Sequence, residues 1–278
     1  MIFPDFHSVQ IMAIVNITDN SFYSASRTMT IEAIESRIAQ VVAEGATIID
    51  IGGCSSRPGS QAVPLETEWE RVDLGVGAAR RVAPHIAVSV DTFRAEIVRR
   101  VVEKYGDVIV NDITAGQGDG DMFETVAKAG LPYIAMHMRG TSDSMQSMTD
   151  YQDVAAEVID YLLARAAEAE KYGIARENII LDPGFGFAKS VEQNYTLLAS
   201  LGWICRAGYA VLAGLSRKSM IYKVTGSTPE RSLAGTVALN WEALRQGATI
   251  LRVHDVAEAV QIADIFRIYS NDKGYRHL

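Results

Sequence analysis

Eight short apolar runs punctuate the chain: IMAIVN (Ile11–Asn16), TIIDIGG (Thr47–Gly53), IAVSVD (Ile86–Asp91), VIVND (Val108–Asp112), YIAMHM (Tyr133–Met138), IILDPGFGF (Ile179–Phe187), YAVLAGLSRK (Tyr209–Lys218) and TILRVHD (Thr249–Asp255). Each is apolar on both faces, as strands covered on both sides are. Between them lie segments with apolar residues at three- and four-residue spacing. Thr30–Glu44 sets Ile31, Ile34, Ile38, Val41 and Val42 on one stripe, and Arg94–Lys104 does so with Ile97, Val98, Val101 and Val102. Such spacing predicts amphipathic helices. The same pattern predicts further helices over Thr67–Val82, Asp121–Ala129, Tyr151–Tyr172, Val191–Leu201, Pro229–Gln246 and Val256–Ile268. Strand and helix alternating eight times imply a parallel sheet with helical crossovers.

Two architectures satisfy that alternation, an open doubly wound sheet and a closed (β/α)8 barrel of the TIM type. The polar residues decide for the barrel. Asn16, Asp50, Asp91, Asn111, Asp182, Lys218, Arg252 and His254 fall toward the C-terminal ends of nearly all the runs, rather than at one crevice. In a barrel those ends form the active-site face. The length of 278 residues suits one such domain, so the prediction is a single barrel domain over residues 1–278. The longest irregular stretches, Asn16–Thr28, Gly52–Leu65 and Arg139–Met148, all follow a strand, where functional loops are expected.

Composition narrows the partners. A net charge of −8 disfavours a nucleic-acid surface, while a small anionic substrate needs only a few local cations. No long apolar stretch predicts a membrane span. Cys54 and Cys205 show neither metal-ligand nor disulfide spacing. With no leader-like N-terminus, a reducing cytoplasm is the expected location.

Several segments offer chemistry. Asp91, Asn111 and Asp182 close apolar runs, and each alone could cap a helix or pair with a cation. Together with Lys218 they supply acceptors and a donor for a flat heterocycle carrying amino and ring N–H groups. Arg252 and His254, two apart on the last run, leave the same face and suit a phosphate or diphosphate. Gly52 and Gly53 precede Ser55, Ser56, Arg57, Pro58 and Gly59, a turn with a guanidinium inside it that could hold an anion or an aromatic carboxylate. In LDPGFGF, Phe185 and Phe187 are alternatives for a ring presented to the site or packed in the core. Asn16–Arg27 reads as a solvated loop or a lid. No phosphate-binding P-loop, zinc-protease helix or nucleophile elbow occurs, so positioning and electrostatics carry more weight than a covalent intermediate.

At these residues the chain resembles the dihydropteroate synthases. The resemblance runs from about Ile11 to Ile268 through the Asn16 loop, IIDIGG with S-S-R-P-G, SVDT, NDI, MHM-x-G, LDPGFGF, GLSRKSMI and RVHDV, in that order. It implies a (β/α)8 homodimer that joins 6-hydroxymethyl-7,8-dihydropterin diphosphate to 4-aminobenzoate with Mg2+, the reaction that sulfonamides block. It implies catalytic roles for Asp91, Asp182 and Lys218. The pterin would be held by Asp91, Asn111, Asp182 and Lys218, with Met136 and Phe187 against a ring. Asn16, Arg252 and His254 would hold the diphosphate, Asn16 also touching the Mg2+. Ser56, Arg57, Pro58 and Ser219 would shape the aminobenzoate site.

The chain departs from the family pattern in its first two loops. Asp19-Asn20-Ser21-Phe22 stands where Pro-Asp-Ser-Phe is usual, Ser24 replaces a later aspartate, and Cys54-Ser55-Ser56-Arg57-Pro58 stands for Glu-Ser-Thr-Arg-Pro. Two other functions fit parts of the sequence, a pterin-dependent methyltransferase and a catalytically silent pterin binder. The intact S-S-R-P-G and S-R-K-S segments speak against the first, and only the altered first loop supports the second.

Overall fold

A computed structural model describes residues 3–17, 30–54, 63–141 and 144–272. Eight parallel strands close into a barrel in sequence order, which excludes the open sheet. They are β1 (Gln10–Asn16), β2 (Ile48–Gly52), β3 (Ala87–Asp91), β4 (Ile109–Asp112), β5 (Tyr133–Met136), β6 (Ile179–Asp182), β7 (Ala210–Ala213) and β8 (Ile250–Val253). The helices are α1 (Ile31–Ala43), α2 (Leu65–Val82), α3 (Ala95–Tyr105), α4 (Met122–Ala129), α5 (Val154–Lys171), α6 (Val191–Ala199), α7 (Leu201–Cys205), α8 (Ser219–Thr225), α9 (Leu233–Gln246) and α10 (Val256–Asp272).

The predicted strands and helices all form, with two refinements. The segment predicted as one helix over Val191–Leu201 breaks at Ser200, which closes α6 and opens α7. The Pro229–Gln246 segment begins with a separate turn of 3-10 helix at Pro229–Arg231 before α9 starts. One helix is unanticipated: Ser219, at the end of the S-R-K-S segment, is the first residue of α8.

Alternation along each strand divides the apolar residues into two layers. Odd-numbered positions of β1 (Ile11, Ala13, Val15) face the helices, with Ile49, Ile51, Val88, Val90, Leu181 and Val253 of other strands. Residues of the other parity fill the barrel floor: Met12, Ile48, Ala87, Ile109, Ile134, Ile180, Ala210, Leu212 and Ile250, plugged by Phe6. Burying each such large side chain stabilises the fold by about 1.5–3 kcal/mol. Two residues further along the same strands, and on the same inner face, come Asp50, Ser89, Asn111, Met136, Asp182 and Arg252. The interior therefore changes from apolar to charged within one strand repeat.

Strand register sets the neighbours in that upper layer. Asn16 pairs with Gly52, Gly52 with Asp91, and Asp91 with Asn111, which makes one row across β1–β4. On the opposite side Met136 lies beside Asp182. Among the described residues no helix is long and apolar enough to cross a membrane.

Candidate active site at the barrel mouth

Arg252 organises the centre. Its Nε donates to Asp50 Oδ2 at 2.7 Å, and one terminal nitrogen lies 2.6 Å from the same oxygen and 3.0 Å from Asp91 Oδ2. Asn111 Nδ2 donates to both oxygens of Asp50, at 3.2 and 3.4 Å. Burial disfavours the charge on Arg252, but Asp50 and Asp91 outweigh it and hold the guanidinium above its ordinary range. Burial raises Asp91 to about 7, against the pull of Arg252 and with the repulsion of Asp50, Glu68 and Asp112. The sequence placed Asp50 at a strand end without assigning it a role. The structure makes it the link between Arg252 and Asn111.

Across the barrel, Asp182 closes β6. Its Oδ1 accepts the Gly184 N–H at 2.7 Å. Burial raises its pKa, while Lys218 and that N–H pull the other way. Lys218 precedes α8 and donates to the Phe185 carbonyl, with its ammonium 4.8 Å from the Phe187 ring centre. Burial lowers Lys218 to about 8, opposed by the charge of Asp182 and aided by Arg252. The two phenylalanines divide as the sequence left open: Phe185 is wholly buried in the core, and Phe187 is half-buried beside Lys218. Met136 is buried next to Asp182 in the register.

The turn that carries these rings depends on Gly184. It sits at φ 65°, and a Cβ there would lie 2.0 Å from the His137 carbonyl oxygen. No side chain other than hydrogen fits such an approach.

Asn16 and His254 lie at the rim. Gly52 makes space for Asn16: a Cβ on residue 52 would be 2.8 Å from Asn16 Oδ1 and 3.7 Å from Asp91 Cβ. His254 Nδ1 is 3.0 Å from Ser216 Oγ, which also accepts the His254 backbone N–H at 3.2 Å. Beside it, Arg217 forks onto Asp255 at 2.6 and 2.9 Å and ties the β7 exit to the β8 exit.

The structure thus brings together Asp91, Asn111, Asp182, Lys218, Arg252 and Asp50, with Met136 and Phe187 beside them. Ser219 is half-buried at the start of α8, adjacent to Lys218. Ser56, Arg57 and Pro58, like Asp19, Asn20 and Ser24, fall outside the described residues. Cys54 is half-buried just before them, as is Cys205 at the end of α7.

Two layers of support were not anticipated. Glu68 of α2, buried, accepts from Thr92 Oγ1 at 2.6 Å and from Arg94 at 2.5 Å, fixing the exit of β3. Lys189 and His137 meet behind the Gly184–Phe187 turn. For an ion such as Mg2+, the described residues contain no group of three or more His, Cys, Asp or Glu side chains suited to hold it. Asn16 Oδ1 offers one oxygen at the rim, which suits an ion that keeps its waters and travels with phosphate oxygens.

Comparison with known proteins agrees with this geometry. The pterin binding enzyme family matches residues 12–254. A dihydropteroate synthase of Haemophilus influenzae is 40% identical over 262 residues, covering 94% of this chain and 94% of its own. The dihydropteroate synthase of Xanthomonas albilineans solved with 4-aminobenzoic acid superposes with a TM-score of 0.87 at 38% identity, covering 95% of this chain and 94% of that one. A structure of the same enzyme in complex with 7,8-dihydropteroate gives a TM-score of 0.84 at 36% identity, with 95% of each chain covered. By a family match over residues 12–254 and by identity sustained over more than nine-tenths of its length, the chain belongs to the pterin binding enzymes, among the dihydropteroate synthases.

Proposed function

We propose that the barrel mouth condenses 6-hydroxymethyl-7,8-dihydropterin diphosphate with 4-aminobenzoate, giving 7,8-dihydropteroate and diphosphate. The observation that carries this reading is the facing pair of polar groups above an apolar floor: Asp91 and Asn111 with Arg252 on one side, Asp182 and Lys218 on the other. A pterin presents amino and ring N–H donors along one edge and acceptors along another. Asp91, Asn111 and Asp182 would take the donors, and Lys218 would donate to the carbonyl or a ring nitrogen. Met136 and Phe187 would lie against the rings.

Arg252 offers a diphosphate only part of its fork, since Nε and one terminal nitrogen are held by Asp50 and Asp91. The other terminal nitrogen, His254 and Asn16 complete the anion side. Mg2+, when bound on the diphosphate, would neutralise charge that gathers on the leaving group, and Asn16 would lend it one oxygen.

In the reaction, the bond between the methylene carbon and the diphosphate oxygen breaks, and the electron pair leaves with the oxygen. Asp91 and Asp182 stabilise the positive charge that develops on the pterin. The lone pair of the aniline nitrogen forms the new C–N bond, and that nitrogen then passes a proton to water. The protein orients two planar partners and forms no covalent bond itself. Ser219 would border the aminobenzoate, with Ser56, Arg57 and Pro58 taking part by their likeness to the family pattern.

The quaternary and cellular parts of this reading are a homodimer and a reducing cytoplasm. Exposed Ile265 and Ile268, three apart on α10, supply an apolar face for a second copy, and two cysteines with no disulfide spacing suit a reducing compartment.

Pterin diphosphate, 4-aminobenzoate and Mg2+ supplied together should yield dihydropteroate and diphosphate in equal amounts. Pterin binding by calorimetry without any product would overturn the reading in favour of a silent binder.

A further inference from the structure

Behind the Gly184–Phe187 turn lies a buried cation with no part in the chemistry above. Lys189 is 6% exposed, and its ammonium meets three acceptors: His137 Nδ1 at 3.0 Å, the Gly184 carbonyl at 3.0 Å and the Phe187 carbonyl at 2.9 Å. An ammonium has three hydrogens, so this set satisfies it. His137 is an acceptor because burial, then the charges of Lys189 and Arg139, push its pKa down to about 3. A neutral ring has one nitrogen free to accept, and Nδ1, 3.0 Å from the Lys189 ammonium, is placed for it.

The turn that Lys189 grips needs holding. Gly184, Gly186 and Ala188 have φ of 65°, 81° and 49°. Left-handed backbone at Ala188 persists only where its surroundings impose it. Asn194 assists from α6, its Oδ1 accepting the Gly186 N–H at 2.6 Å. On the site side of the same turn, Lys218 donates to the Phe185 carbonyl and lies against the Phe187 ring. Two lysines thus hold one turn from opposite sides, and only Lys218 faces the mouth.

Stability does not account for a lysine here. Burial pulls Lys189 down to about 7, a cost that methionine of similar volume would not carry. The ammonium is better explained by the carbonyl geometry it imposes.

We propose that Lys189 is a positioning residue of the heterocycle pocket: by drawing the Gly184 and Phe187 carbonyls toward His137, it fixes the Phe185 carbonyl and Phe187 ring that orient the Lys218 ammonium. The inference rests on the pterin reading of the mouth.

The test compares wild type with Lys189→Met and Lys189→Gln, the second retaining two donors. Pterin affinity is measured by calorimetry with a pterin lacking the diphosphate, alongside KM for both substrates and thermal melts. In Lys189→Met, pterin binding should weaken about tenfold or more, while KM for aminobenzoate stays within about twofold. Lys189→Gln should recover part of the loss.

The alkaline limb of pterin binding adds a readout that a purely structural role would not move. The charged groups facing Lys218 are Asp182 on β6, Arg252 on β8 and Lys189 itself, whose charge both variants remove alike. Losing that charge raises the midpoint equally in both variants, and a loosened Lys218 gains water, so the midpoint should rise from about 8 further in Lys189→Met than in Lys189→Gln. Unchanged pterin affinity in a folded variant would overturn the proposal, as would equal losses for both substrates or equal midpoints in the two variants. Should Lys189→Met not fold, Lys189→Gln decides by the same criteria. A wild type that binds no pterin would refute the functional reading and this inference together, whereas a binding wild type with unaffected variants refutes the inference alone.

Discussion

Arg252→Met asks whether one guanidinium holds the charged layer of the barrel together. Its two carboxylate partners are Asp50, with a fully buried side chain, and Asp91, whose side chain is 10% exposed. Methionine keeps most of the stem, so lost packing contributes little. Removing one partner of a buried ion pair costs about 3–5 kcal/mol, because the other charge stays buried without compensation. Against a domain stability of about 5–15 kcal/mol, that is a large share.

The pH dependence has a definite sign. Asp91 sits at about 7 despite the pull of Arg252, and the variant loses that pull, so Asp91 rises further. A carboxyl whose native pKa exceeds its unfolded value takes up a proton on folding. Its stabilising contribution is complete below the unfolded pKa of about 3.9 and is lost as pH rises through the native value. The deficit of Arg252→Met must therefore grow with pH. Urea unfolding at about pH 8 should show a loss of about 3–5 kcal/mol, and at about pH 5 a loss smaller by at least about 1 kcal/mol. Equal losses at the two pH values, or a loss under about 1 kcal/mol at the higher one, would refute the account of Arg252 as the central counter-charge.

Two further substitutions separate the heterocycle from the anion. Asp182→Asn keeps an oxygen for the Gly184 N–H but removes the charge opposite Lys218. Calorimetry with a pterin should show affinity reduced about tenfold or more, and unchanged affinity would put the heterocycle elsewhere. Gly52→Ala drives a Cβ to 2.8 Å from Asn16 Oδ1, so Asn16 must turn away. KM for the diphosphate-bearing pterin should rise while a pterin without diphosphate binds as before. An equal loss for both would mean that Gly52 serves the fold and not the anion.

How much of this was legible follows from where each signal lies. The strands and their polar ends were readable because an apolar run and its closing Asp91, Asn111 or Asp182 are contiguous in sequence. Asp50 had no legible role because its partners, Asn111 and Arg252, lie 61 and 202 residues away. Its parity with Ile48 and Gly52 was the one available sign that it faced inward. Lys189 follows F-G-F-A outside any periodic pattern, and its contact with His137 spans 52 residues. The seven residues of α8 are too few to display a helical stripe, and the basic S-R-K-S segment masked its start.

The energetic character of the mouth points to its ligand more sharply than any single residue does. Three carboxyls, Asp50, Asp91 and Asp182, face two cations, Arg252 and Lys218, directly above a floor of isoleucines. Burial raises Asp91 and Asp182 and lowers Lys218, so all three shifts favour the neutral forms. A ring that donates N–H groups to the carboxyls stabilises their charged forms and lowers their pKa, while its carbonyl accepts from Lys218 and stabilises the ammonium. Near neutrality, pterin binding should therefore carry a net proton exchange set chiefly by Asp91, whose native value of about 7 lies closest to the working pH. Binding enthalpies measured in buffers of different ionisation heat would reveal that exchange as proton release. A ligand held only by its apolar faces would bind with no such dependence, and that outcome would dissociate the charged layer from recognition.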